Sequence, residues 1–184
     1  MEAVANFWKP PSAKSAPVRG VAIALLVTAA ALLATACSRE PEAQAFSSGL
    51  PPQARNLSYV AGGQCHIDAA SGTPVIEGWR VNTSTPIWIS GWAYDDPGRP
   101  ASEWIVVELA APGDRARFFA VSSVRKPNAE VTARLGNSPA SHNAAFELVA
   151  RADMLPRGRY SIRVLMKSEK GGLKCETGRV LDLR

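Results

Sequence analysis

The chain has 184 residues, 46% of them hydrophobic and 20% charged, with a formal net charge of +5. That apolar content excludes a wholly disordered chain, and the length suits one ordinary domain behind a leader. Lys9, Lys14 and Arg19 hold part of the positive charge before residue 20. What remains is too mild to argue for nucleic-acid binding.

Those three basic residues precede an uncharged run from Gly20 to Ala36, the basic-then-apolar order of a secretory signal. At about 17 residues the run lies at the lower edge of what spans a bilayer as a helix. It ends in Leu32-Leu33-Ala34-Thr35-Ala36-Cys37-Ser38, with small side chains where a signal peptidase needs little bulk. The stretch resembles the lipobox of bacterial lipoproteins, with Ala34 where Leu is usual. The resemblance implies a cut before Cys37, a diacylglyceryl thioether on its sulfur and an acyl chain such as palmitate on its new amino group. Each buried methylene contributes about 0.8 kcal/mol, so two or three chains hold where one would not. Ser38, in place of the aspartate that retains many such proteins in the inner membrane, points to the outer membrane and a periplasm-facing domain. A plain membrane anchor, or an ordinary signal peptide cut near Ala36, are the other readings of the same residues.

Ser38 to Gly63 shows no apolar period and carries Pro41, Pro51, Pro52 and Ser47-Ser48-Gly49. Such composition buries too little surface to offset its ordering entropy and predicts a disordered tether. A coil of that length would lift a domain roughly 25 to 30 Å from the lipid. The expected organisation is a signal peptide over 1–36, a lipidated N-terminus with flexible tether over 37–63, and a folded domain over 64–184.

From Gln64 onward, short apolar runs alternate with turn residues, the pattern of an all-β domain. Cys65, Ile67 and Ala69 share one face. Strands follow over 75–81 and 87–94, then the turn Asp95-Asp96-Pro97-Gly98. Residues 103–110 and 116–122 form a hairpin around Ala111-Pro112-Gly113-Asp114. The one helix expected is 129–135, opened by Asn128 and closed by Gly136. Strands over 144–150, 160–166 and 173–183 complete the chain, the last two joined at Lys170-Gly171-Gly172. Together these predict an immunoglobulin-like β-sandwich of about eight short strands with one short helix.

Two cysteines remain beyond Cys37. In an oxidising compartment Cys65 and Cys175 point to one disulfide that joins the two ends of the folded part. A thiolate metal site at Cys65 and His66 lacks companion spacing, and Asp95, Asp96 and Glu103 lack the spaced oxygens of a calcium loop. No cofactor is expected.

Trp79, Trp88, Trp92 and Trp104 are the candidate ligand-binding residues. Trp88 and Trp92 alternate with Ile87 and Ile89, so isoleucines facing the core would leave indoles outside. Stacked indoles on a sheet face hold sugar rings through their apolar C–H faces. The competing reading places these tryptophans under other elements as core. His66 and His142, the only histidines, lie in no frame that suggests catalysis.

Ser90-Gly91-Trp92-Ala93-Tyr94-Asp95, with Gly78-Trp79, Arg125-Lys126-Pro127 and Gly158-Arg159-Tyr160, resembles β-sandwich modules of bacterial cell-surface and polysaccharide-associated proteins that carry a Gly-Trp-Ala-x-Asp strand end. The resemblance implies a fold and a cell-surface setting, and no catalytic residue. The expected function is a lipid-anchored, non-catalytic binding or assembly protein for surface polysaccharide or peptidoglycan. The alternative is an accessory subunit that docks on an envelope protein complex through an edge strand or Arg125-Lys126-Pro127.

Overall fold

The structure, a computed structural model, describes residues 43–70, 73–74, 79–122 and 124–184. The leader, Cys37 and Ser38 lie outside the described residues, as do 75–78 of the strand expected over 75–81. The fold is an all-β sandwich of two six-stranded sheets.

The strands are β1 (Gln44–Ala45), β2 (Tyr59–Ala61), β3 (Gln64–Ala70), β4 (Thr73–Pro74), β5 (Trp79–Val81), β6 (Ile87–Tyr94), β7 (Ile105–Ala110), β8 (Arg117–Ser122), β9 (Val124–Lys126), β10 (Ala145–Arg151), β11 (Gly158–Ser168) and β12 (Gly171–Leu183). One sheet runs β1-β10-β6-β3-β4 with β9 also on β10. The other runs β2-β12-β11-β7-β8 with β5 also on β12. There are more strands than the eight expected, because short pieces flank β10 and β12. Among the described residues there are two α-helices, α1 (Pro52–Arg55) and α2 (Ala129–Leu135), the second at its expected bounds. The Asn128 side chain accepts a hydrogen bond from the Val131 amide and so caps α2.

Alternation decides what each strand buries. Ile87 and Ile89 of β6, Ile105, Val107 and Leu109 of β7, Phe146 and Leu148 of β10, and Ile162 and Val164 of β11 fill the space between the sheets. Cys65 on β3 and Cys175 on β12 are bonded across that space, with Cα atoms 6.2 Å apart, as the cysteine count predicts. β3 departs from strict alternation. Its register on β6 shifts between Ile67 and Ala69, so Asp68 is extra and Ala70, not Ala69, turns to the core.

β3 and β6 meet closely at Gly91. A Cβ there would run into the His66 main-chain carbonyl oxygen, with the Phe146 ring 3.1 Å away on another side. Gly91→Ala is expected to cost about 1–3 kcal/mol through forced strand separation, measured by urea unfolding.

The tether expectation for 43–63 is overturned. β1 pairs in parallel with β10, and Ser47 exchanges main-chain hydrogen bonds with Phe119 of β8. The chain then crosses the outer face of the second sheet and pairs as β2 with β12. Phe46 is 5% exposed within the inter-sheet core, and Ala54 is fully buried against Val106, Phe119 and Leu165. This segment works as a strap around the sandwich. It needs no period of its own because single apolar residues drop into gaps that the strands already present.

Beneath the strap lies Glu108, fully buried, with neither carboxylate oxygen hydrogen-bonded. Arg117 and Arg163 stand 3.6 and 3.7 Å away. Burial pushes the Glu108 carboxyl up, and the opposing pull of Arg163, Arg117 and Lys174 only partly offsets it, with Asp114 adding to the rise. A carboxyl held higher in the folded state binds its proton more tightly there. Its contribution is therefore complete below the unfolded value and fades as pH rises through the folded one. Relative to Glu108→Gln, the wild-type protein is expected to gain stability as pH falls across that window. Urea midpoints of both proteins over the acidic range check the sign.

Candidate functional site

A hollow that a ligand could enter lies at the end of the sandwich where β6 and β11 finish. It holds about 520 Å³ and is walled by the Asp95–Trp104 loop and by Lys167, Ser168 and Glu169. Its shape follows from local chemistry. The Asp96 carboxylate accepts the Gly98 amide at 2.8 Å and closes the Asp-Asp-Pro-Gly turn. Ala101 packs with Trp92 and Tyr94 outside the first sheet, while Trp104 packs against the Val106–Leu165 cluster outside the second. The loop is thus pinned at both ends.

Within the cleft, the Arg99 guanidinium meets the Glu169 carboxylate at 2.7 Å. This pair separates the cleft from a neighbouring hollow of about 360 Å³ that shares Asp95, Arg99, Ser168 and Glu169. The Ser102 hydroxyl donates to the Trp104 carbonyl at 2.6 Å and accepts the Lys167 amide at 3.2 Å. The Ser168 hydroxyl donates to the Gly171 carbonyl at 3.3 Å. Both hydroxyls are therefore held by main chain. The half-buried Trp104 indole remains, flanked by exposed Glu103 and Lys167 side chains that take part in no ion pair among the described residues. An apolar ring surface beside one acidic and one basic group suits a sugar with charged substituents. No histidine lines the cleft.

The four candidate tryptophans do not form one platform. Trp79 is 4% exposed within the inter-sheet core. Trp88 and Trp92 do share the outer face of the first sheet, but α2 covers only one of them. Trp92 lies under Val131 and Leu135, its Nε1 donating to the Glu130 carboxylate at 3.2 Å and the Arg134 guanidinium 5.5 Å over its ring. Trp88 is 48% exposed. Trp104 stands alone at the cleft.

His66 stacks on Trp92 with ring centroids 6.0 Å apart, its Nε2 3.9 Å from Asp68. Burial pushes the Asp68 carboxyl up; His66 works against this and Glu130 adds to it. His142 closes a 3₁₀ turn over Pro139–His142 and meets Asn137 at 2.7 Å. Cys65 is committed to its disulfide, so no thiolate stands beside His66 for a metal.

Arg125, expected in an exposed docking segment, points to the interior instead. Its Nη2 donates to the Ala93 carbonyl at 2.8 Å, and burial pushes its guanidinium down to about 10. Lys126 is paired with Glu147. Arg125-Lys126-Pro127 is therefore not a free basic patch. No known protein family, curated protein or solved structure matches this chain.

Proposed function

We propose that the protein is a lipid-anchored, non-catalytic binding module of the cell envelope that holds a charged glycan segment, such as a peptidoglycan fragment, in the Trp104 cleft. The observation that carries the reading is the half-buried Trp104 indole flanked by uncommitted Glu103 and Lys167. A sugar ring stacks on the indole, a carboxylate on the ligand pairs with Lys167, and a hydroxyl or ammonium group pairs with Glu103. The anchor belongs to the same reading through the lipobox-like Leu32–Ser38 segment and the acyl chains it implies on Cys37. The weaker likeness to Gly-Trp-Ala-x-Asp surface modules agrees with this setting.

The docking alternative has less to stand on. β1 and β9 pair along the outer edge of β10, and β2 and β5 along that of β12. The Gln44 side chain and Ser47 occupy the outer edge of β8. Those edges are covered only along the paired residues, and β3 carries only the two-residue β4 on its outer side among the described residues. Trp104→Ala is expected to weaken binding of soluble peptidoglycan fragments by tenfold or more, about the 1–3 kcal/mol of one stacked aromatic. Titration calorimetry checks this, and unchanged binding would remove the cleft from the account.

A further inference from the structure

The end of the sandwich opposite the cleft has its own chemistry. Register brings Arg80 of β5 and Arg159 of β11 to either side of Asp182 on β12, whose carboxylate is already paired with Arg184 at 3.1 Å. Arg151 closes β10, and Arg157 lies in the following turn. All four arginines are exposed and enter no ion pair among the described residues. Asp153 is the other acidic group in that turn. Two apolar side chains stand out at the same end: Met154, 78% exposed in the same turn, and Trp88, 48% exposed one residue into β6.

The chain from Cys37 also arrives near this end. Gln44 lies opposite Ala150 and Ala45 opposite Arg151, at the finish of β10. Five residues lie between Cys37 and Ala43, a reach of about 21 Å even when fully extended. The cleft lies past the other end of β6, whose eight residues span about 26 Å. The expected 25 to 30 Å stand-off needs the length of residues that instead pair with the sandwich as β1 and β2.

We propose that this arginine-rich end docks on anionic phospholipid headgroups, with Met154 and Trp88 in the interfacial layer and the cleft turned away from the bilayer. The proposal rests on the lipid anchor at Cys37 proposed above. Arginines give the attraction to phosphate, and an indole suits the boundary between headgroup and acyl chain. Each arginine near such a surface is worth about fivefold, the equivalent of about 1 kcal/mol. The attraction fades with added salt.

The test uses the full chain purified from membranes, with the mass of its N-terminus measured first. The acylated protein is placed in phosphatidylethanolamine vesicles with or without phosphatidylglycerol, carrying brominated acyl chains. With phosphatidylglycerol, bromine quenching is expected in wild type and not in Trp88→Phe, together with slowed amide exchange over 152–157. Arg151→Glu with Arg157→Glu should reduce that exchange protection by an order of magnitude or more. Acylated protein with no Trp88 quenching and no protection overturns the docking and leaves the anchor standing. Trp88 shielded by peptidoglycan fragments but not quenched by lipid overturns it in favour of a second glycan site. An unmodified Ser38 N-terminus removes the anchor, and the docking with it.

Discussion

Replacing Cys65 and Cys175 together with alanine is expected to lower stability by about 2–5 kcal/mol. The bond spans a sequence separation of 110 residues, so the unfolded chain loses the freedom of nearly the whole domain when it is closed. The chain-entropy argument gives about 4.7 kcal/mol for a loop near that size, an upper figure because real unfolded chains keep some structure. The native contacts around it remain: Met166 and Leu173 pack in the same cluster as the two cysteines. The double variant should therefore keep the wild-type circular dichroism spectrum at low temperature and unfold at a clearly lower urea midpoint. Reducing the wild-type protein should reproduce the shift.

Phe46→Ala is the second large effect, about 3–5 kcal/mol. The side chain is 5% exposed and belongs to the inter-sheet core, although it lies before every strand that alternation reveals. Its removal leaves a cavity that rigid sheets on both sides cannot close. The expected cost separates two pictures of this segment: a tether predicts no change in the urea midpoint, and a strap predicts a loss as large as that of a central core residue. Exchange of the Phe119 and Ser47 amides, which are bonded to each other's carbonyls, should quicken in the same variant.

Where a strand both alternates and ends in turn residues, the sequence was enough to place it. β6 was expected at 87–94 and α2 at 129–135, and both stand there. The β7–β8 hairpin also forms as its turn residues predict, while the β11–β12 hairpin turns earlier than expected, at Glu169-Lys170, because Gly171 and Gly172 already pair with Ser168 and Lys167. Alternation carries that information because each inward side chain meets a core built by its neighbours. The strap was invisible for the opposite reason. Phe46, Leu50, Ala54 and Tyr59 follow no period, and each is buried or partly buried by surfaces far along the chain. Composition measures what a segment can bury by itself, and this one buries against something else.

The tryptophans show the same boundary. Parity correctly placed Trp88 and Trp92 on one outward face, since Ile87 and Ile89 are both fully buried. Parity says nothing about which part of that face a later helix will cover. α2 lies over Trp92, so the expected platform is reduced to an exposed Trp88 and, at a separate place, the cleft indole of Trp104. Asp68 was hidden by its bulge, which reverses the alternation of β3 without changing its composition. The cleft itself was not foreseen as a cleft. Its signal was Asp-Asp-Pro-Gly, a turn long enough with Arg99 to Trp104 to reach across the end of both sheets.

The central claim is that this domain holds a charged glycan at Trp104, and the most direct measurement is amide and indole NMR of the protein during titration with defined peptidoglycan fragments. The account predicts saturable shifts of the Trp104 indole and of the 95–104 and 167–169 amides, with Trp79 unmoved. Shifts confined to other surfaces, or none at ligand concentrations that saturate ordinary glycan-binding modules, would contradict it.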